Sequence, residues 1–246
     1  MKKICFFILI LWMFSACKKA EDRTCIKSRG EEVEQLYTLN QIEKLRLGRG
    51  IHFTLQQDTI NQLKIKTGRN LINFIDIIEK NNELHITNSN TCNFLRYGKN
   101  NVNVEIHFTD LRNIYFEGSE KLRSNGSIQL QYLGIIVEES SSEIELDVVL
   151  DTLRFLCPYA WPQVKLHGSS NVSSIEIDGD AQLDFTNFQV NDEFNLAYTS
   201  SQYSIINLDS TNTFKGQIFG NGHVGHYGIP NNFFVQYYNS GRFLPL

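Results

Sequence analysis

A short group of small and polar residues, closed by an apolar one, recurs through the second half of the chain. It is seen in Gly118-Ser119-Glu120-Lys121-Leu122, Ser140-Ser141-Ser142-Glu143-Ile144 and Gly168-Ser169-Ser170-Asn171-Val172. It returns in Thr199-Ser200-Ser201-Gln202-Tyr203, Gly220-Asn221-Gly222-His223-Val224 and Asn239-Ser240-Gly241-Arg242-Phe243. The starts at 118, 140, 168, 199, 220 and 239 lie 22, 28, 31, 21 and 19 residues apart. Recurrence on that scale marks chains that stack one small unit on the next. Between the groups lie short strands such as Ile144-Glu145-Leu146-Asp147-Val148, Ile175-Glu176-Ile177 and Phe194-Asn195-Leu196. A single rung of such strands cannot bury its apolar face, whereas stacked rungs bury a continuous one. Small residues at matched positions let the backbone turn tightly at each corner. The pattern predicts an all-β solenoid. A twisted β-sandwich is the alternative, because short strands between turns also suit it.

The earlier half reads as strands too. Leu45 and Leu47 alternate with Lys44 and Arg46, and Leu63-Lys64-Ile65-Lys66, Leu84-His85-Ile86-Thr87 and Val102-Asn103-Val104-Glu105-Ile106 have the same period of two. Helical spacing occurs from Asn70 to Lys80, where a helical turn running into a strand is expected. With 41% hydrophobic and 12% aromatic residues the chain can fill a core. A net charge of −4 argues against binding to nucleic acid by bulk electrostatics.

The first residues read as an address. Lys2 and Lys3 precede an unbroken apolar run from Ile4 to Phe14, eleven residues long, too short to span a bilayer. The run closes in Phe14-Ser15-Ala16-Cys17, which resembles a bacterial lipobox. We therefore expect a signal peptide over 1–16, lipidation of Cys17, a tether over 17–35 and a single β-solenoid over 36–246. Several acyl chains on one residue anchor a protein stably. The order Lys18-Lys19-Ala20-Glu21-Asp22 resembles signals that send some gram-negative lipoproteins to the outer face of the cell. An outer-membrane lipoprotein of the cell envelope is the expected location.

Three cysteines remain beyond Cys5 and Cys17. An exported compartment permits disulfides. Cys25 and Cys92 fall in loop-like stretches and are expected to pair, the alternative being that all three are reduced. Cys157 shares parity with Leu153 and Phe155, which places it inward as a free thiol. No Cys/His spacing suits a zinc site.

Other constellations carry less chemistry. His223 and His226 are three apart, which on a strand would put them on opposite faces, and the flanking glycines argue for a turn rather than a metal site. Glu143, Glu145 and Asp147, with Glu138 and Glu139 near them, suit a solvated outer face better than a calcium site. Asp178, Asp180 and Asp184 could serve a β-helix polysaccharide hydrolase or lyase, but they flank a turn glycine, where Asp is common for local reasons. No catalytic residue, metal or cofactor is assigned. The aromatic stretch Asn232-Phe233-Phe234-Val235-Gln236-Tyr237-Tyr238 reads as a last strand whose alternate rings cover the open end, or as an adhesive patch. Tyr159 and Trp161, between Pro158 and Pro162, are the candidates for an exposed aromatic pair that stacks on a ligand sugar.

Several stretches together resemble one family of exported bacterial proteins, the "putative auto-transporter adhesin head GIN domain" family. They include Gly48-Arg49-Gly50-Ile51-His52-Phe53-Thr54-Leu55, Glu83-Leu84-His85-Ile86-Thr87-Asn88, Asn90-Thr91-Cys92-Asn93-Phe94-Leu95-Arg96 and Ile114-Tyr115-Phe116-Glu117-Gly118-Ser119. Gly220-Asn221-Gly222-His223-Val224-Gly225-His226-Tyr227-Gly228-Ile229-Pro230 completes the set. The resemblance covers about residues 36–243. It implies a right-handed parallel β-helix-like fold and makes Cys25 and Cys92 look like the paired cysteines of one subgroup. It implies no activity. The expected function is a lipid-anchored envelope module for adhesion or binding, with glycan or an envelope or host protein as partner. A carbohydrate-active β-helix enzyme and a purely structural envelope protein are the alternatives.

Overall fold

The computed structural model describes residues 28–90 and 101–246. Cys17, Cys25, Cys92 and the expected signal segment lie outside the described residues. The first eight strands are β1 (Glu32–Thr38), β2 (Lys44–Leu47), β3 (His52–Gln57), β4 (Gln62–Gly68), β5 (Ile75–Lys80), β6 (Glu83–Asn88), β7 (Asn103–Phe108) and β8 (Asn113–Phe116). The rest are β9 (Leu122–Ser124), β10 (Ile128–Val137), β11 (Glu143–Cys157), β12 (Gln163–Ile177), β13 (Gln182–Tyr198), β14 (Ser204–Asn207), β15 (Thr213–Ile218), β16 (Val224–Tyr227), β17 (Asn232–Tyr237) and β18 (Phe243–Pro245). A single turn of 3₁₀-helix, Ile72–Phe74, leads into β5, as the spacing in that stretch predicts.

The strands stack as a β-solenoid. The long strands β11, β12 and β13 each run along three faces in succession, and their neighbours occupy one or two. Face A holds β3, β9, the starts of β11, β12 and β13, then β14, β16 and β18. Face B holds β2, β8, the ends of β10 to β13, then β15 and β17. The start of β10 and the middles of β11, β12 and β13 form face C. All of these pairings are parallel.

The chain does not lay its first rungs down in order. On face B, β2 lies between β6 and β8, and on face A, β3 lies between β7 and β9. The rung β2–β3, first in the chain, is therefore flanked by β6–β7 on one side and β8–β9 on the other. Outside it, β1 pairs antiparallel with β4, β4 with β7, and β5 with β6. Antiparallel, charged strands thus close the N-terminal end. Lys66 bonds Glu32 at 3.0 Å and Arg29 bonds Glu32 at 2.9 Å. Charged edges of this kind discourage further strand addition.

The corners from face B to face A decide the register. They lie at 117–121, 138–142, 158–162, 178–181, 199–203, 219–223 and 238–242. Two of these, Pro158–Pro162 and Asp178–Ala181, do not carry the small-residue pattern that marks the others in the sequence. Gly168-Ser169-Ser170, expected to be a corner, instead lies inside β12. Gly168 has φ +94°, and an added Cβ would come within 2.2 Å of the Val148 carbonyl oxygen in the rung before it. It is a bend within a rung, required by close approach. With the corners placed correctly the uneven spacings of 28 and 31 vanish. Stacked partners such as Leu122 and Ile144, Gln163 and Gln182, or Ser204 and Val224 are 19–22 residues apart.

Backbones meet closely at these corners. A Cβ on Gly179 would reach 2.2 Å from the Ala160 carbonyl oxygen, and one on Gly220 would reach 1.9 Å from that of Thr199. Where glycine is absent, Ser140, Ala160 and Ser200 are buried there. The Ser140 hydroxyl donates to the Gly118 carbonyl at 2.5 Å and so satisfies an inward-facing group of the neighbouring rung. Inside, Phe53, Phe116, Phe155, Phe185, Phe194 and Phe214 are fully buried. Phe194 and Phe214 meet edge to face at 5.5 Å.

Cys157 is a buried free thiol, stacked on Ile177. Burial pushes the thiol up to about 11, against a weak hydrogen bond to the Ala160 carbonyl at 3.5 Å. Because the thiolate is the reactive form, Cys157 should resist iodoacetamide for hours in native protein and react at once in denaturant. Rapid native labelling would show that it is not in the core. Gly220→Ala should lower the unfolding free energy by about 2–4 kcal/mol in urea. A loss below about 0.5 kcal/mol would show that the corner backbones can move apart.

Candidate binding face

Of the concave surfaces among the described residues, two lie over the stacked parallel faces. The smaller, of about 270 Å³, lies on face A and is lined by Lys64, Lys66, Lys121, Arg123 and Glu105 among others. Its charge is largely spent on the protein's own carboxylates. Lys64 bonds Glu105 at 3.2 Å, Lys66 bonds Glu32 at 3.0 Å and Lys121 bonds Glu143 at 2.6 Å.

The larger, a groove of about 890 Å³, crosses the outer side of face B over β12, β13, β15 and β17. Strand alternation sends Ile175, Leu196 and Phe214 inward and leaves Ser174, Glu176, Asn195, Ala197, Lys215 and Gln217 outward. The parallel register then aligns Glu176 with Ala197, Ala197 with Gln217, and Gln217 with Gln236. Ala197 makes the floor low, and Phe234, 60% exposed, forms an apolar wall. The Gln217 amide donates to the Gln236 side-chain oxygen at 3.0 Å, and the Tyr238 hydroxyl donates to the same oxygen at 2.8 Å. At the far wall Lys215 bonds Glu193 at 2.9 Å. The hydrogen bonds from Lys215 and Asn195 hold the Glu193 carboxyl below its usual range. The groove offers amide, hydroxyl and carboxylate groups beside the Phe233 and Phe234 rings.

Tyr159 and Trp161 occupy the corner between β11 and β12 and are 80% and 65% exposed. The Trp161 amide donates to the Ser140 carbonyl at 2.7 Å, and Ala160 between the two rings turns inward. The backbone is therefore fixed while both rings stand in solvent. The C-terminal aromatics divide by parity. Phe233 stacks on Phe214 with centroids 5.5 Å apart and helps cover the end of the core, whereas Phe234 faces out. Sequence reasoning named the aromatic stretch but not Glu176, Ala197 or Gln217. They become neighbours only when the 20-residue register is known.

Several of the acids, and both His223 and His226, are engaged within the protein. Asp180 accepts hydrogen bonds from the Ser201 amide at 2.6 Å, the Ser201 hydroxyl at 2.8 Å, the Gln202 amide group at 2.8 Å and the Ser200 hydroxyl at 3.0 Å. Burial opposes its ionisation, but these bonds from the next corner outweigh it and lower the carboxyl to about 2. A catalytic acid needs the opposite shift. Asp184 accepts from the Thr186 amide at 3.2 Å as a local turn. Glu143 bonds Lys121, and Glu145 lies 3.6 Å from His167. The buried His226 donates through Nδ1 to the Gly228 carbonyl at 3.0 Å, while Nδ1 of His223 accepts from the Arg242 amide at 3.1 Å. Among the described residues no three His, Cys, Asp or Glu side chains gather as metal ligands, and no helix is long and apolar enough to cross a membrane.

Asp180 thus joins two corners as an anion at neutral pH. Its folded value lies below the ordinary 3.8, so its stabilisation is complete above about pH 3.8 and is lost as pH falls through about 2. Asp180→Asn should cost about 1–2 kcal/mol at neutral pH, after allowance for solvent screening. That difference should shrink as urea unfolding is repeated from pH 4 downward. A loss independent of pH would mean that the charge contributes nothing.

The solenoid has solved counterparts. A structure described as a putative adhesin from Bacteroides fragilis superposes with TM-score 0.78 at 16% identity, covering 88% of this chain and 97% of that one. A putative adhesin from Parabacteroides distasonis gives 0.72 at 13% identity, covering 90% and 100%. A protein of the same organism described as a putative lipid binding protein gives 0.61 at 13% identity, covering 89% and 99%. At these identities the likeness shows the fold alone. No curated protein sequence matches significantly. The family model "Putative auto-transporter adhesin, head GIN domain" matches residues 41–230. The chain belongs to that family, and its β-helix-like solenoid is the architecture the sequence resemblance implies.

Proposed function

We propose that the protein is an adhesion module of the cell envelope that binds glycan chains in the groove on face B and does no chemistry on them. One observation carries this reading. The outward column Glu176, Ala197, Gln217 and Gln236 makes a shallow polar floor, with the exposed Phe234 ring as its wall. Polar groups on such a floor can meet sugar hydroxyls, and an aromatic face can pack on a sugar ring. The exposed rings of Tyr159 and Trp161 would extend contact along the neighbouring corner. The family's adhesin description supports the same role. The ionised, fully bonded Asp180 speaks against a hydrolase or lyase at its corner.

The reading includes the address. Lipid on Cys17 would hold the solenoid to the outer membrane, and a Cys25–Cys92 bond would tie the tether to the first rungs. Cys17→Ala should release the protein from the membrane fraction and abolish palmitate labelling. Unchanged fractionation and labelling would refute the anchor. Non-reducing peptide mapping that finds Cys25 as a free thiol would refute the bond.

For the groove, the chain from residue 18 onward is suitable, because the described core runs from Leu39 to Phe243. It should be tested on an array of plant, host and bacterial polysaccharides. Ala197→Arg, which fills the floor, should weaken binding at least tenfold. Tyr159→Ala with Trp161→Ala should weaken it several-fold. Binding that survives Ala197→Arg would place the ligand elsewhere. Steady release of reducing ends or unsaturated uronates would replace the adhesin reading with an enzyme.

A further inference from the structure

The two ends of the solenoid differ in kind. Half of the large apolar residues that the described structure exposes, nine of eighteen, fall between Phe219 and Leu246. They include Phe233, Phe234, Tyr237 and Tyr238 on and beside β17. A concentration of this sort on a soluble surface marks an interaction site. β17 pairs with β15 along one edge, and among the described residues no strand pairs with the other. The Asn232 and Tyr238 amides donate inward, to the Asn212 and Ile218 carbonyls at 2.9 and 2.8 Å. In a parallel ladder the residues between them at odd positions, Phe233, Val235 and Tyr237, direct their backbone groups to the free edge. On face A the last strand is the three-residue β18, which ends in Pro245 and offers no ladder.

We infer that this edge pairs with the same edge of a second copy, β17 running antiparallel to its twofold mate. Charge selects that partner. From Gly228 to Leu246 the one charged side chain is Arg242. It is already engaged, with its guanidinium 5.0 Å over the Tyr237 ring and bonded to the Asn239 and Gly241 carbonyls at 2.6 Å. Two such ends bring together one charged side chain from each copy, already held against its own ring and carbonyls. The N-terminal end of another copy is a poor occupant. Its edge strands carry Glu32 and Glu34 on β1 and Asp76, Glu79 and Lys80 on β5, which head-to-tail stacking would strip of water. Head-to-tail contact would also propagate into open filaments, whereas an end-to-end pair closes on itself. An antiparallel match exchanges backbone hydrogen bonds along an edge that, among the described residues, pairs with no strand, and covers the aromatic end. The inference does not depend on the glycan reading.

The test is sedimentation velocity on the chain from residue 18 onward, from 1 to 100 µM. A dimer is expected. Val235→Pro removes an edge amide that makes no bond to β15, and Tyr237→Lys sets a charge against its mate. Each should shift the protein to monomer, with the thermal unfolding transition still present. If Val235→Pro does not fold, Tyr237→Lys alone decides. A monomer throughout the range overturns the proposal, as does a dimer that persists in Tyr237→Lys. Binding to phosphatidylethanolamine–phosphatidylglycerol vesicles by a protein that stays monomeric also overturns it, and assigns the aromatic end to a membrane.

Discussion

The close stacking of backbones at the corners between faces B and A governs the rest of the structure. Each rung must turn there within a few residues, directly above the same turn in the rung before. At Gly179 and Gly220 the carbonyl of the preceding corner occupies the place a Cβ would take. Ser140, Ala160 and Ser200 are the largest side chains found at the equivalent buried points. Once the corners are fixed, rung length is fixed, and alternation decides which side chains fill the core. The parallel ladders carry that register from one rung to the next, so columns on the surface are as regular as those inside.

That regularity is what makes a binding surface. A solenoid needs no chemistry to hold its outward residues in rows, and those residues are free to vary because the corners carry the fold. Gln217 above Ala197 above Glu176 is a consequence of stacking, not of any local motif. The same stacking explains the state of one acid at a corner. Asp180 lies where the next corner presents a backbone amide, two hydroxyls and a side-chain amide, and four donors hold it as an anion. A corner that stabilises a charge in this way joins rungs.

Much of the architecture can be read from the residues. Period two, five of the six small-residue groups and the inward parity of Cys157 correspond to what is found. Two corners escape because their small residues are disguised. Ala160 sits between Tyr159 and Trp161, and Gly179 sits among aspartates, so neither resembles Ser-Ser or Gly-Asn-Gly. Gly168-Ser169-Ser170 misleads for the converse reason, since close approach to Val148 demands glycine in mid-strand as firmly as a corner does. The order of the first rungs has no local signal. That β2–β3 is enclosed by later strands follows from pairings more than 30 residues apart, such as Leu45 with Leu84 and Phe53 with Val104. The groove is hidden for a related reason, because its residues come from four strands and adjoin only through the register. Tyr159 and Trp161 are legible by contrast, since flanking prolines already place them in a break.

If the rungs are interchangeable units joined by nearest-neighbour stacking, one can be removed whole. Gln163 stacks on Gln182, so excising residues 163–181 takes out one full turn and rejoins the chain at equivalent corners. Unfolding of this variant in urea, followed by circular dichroism, is the most direct measurement. A shorter solenoid should keep its β-sheet signal and a single cooperative transition, with the slope reduced in proportion to the surface lost. Excision of about half a turn should abolish the transition, because it places corner against strand. If the whole-turn deletion also fails to fold, or the half-turn deletion folds as well as the whole-turn one, corner register does not organise this protein.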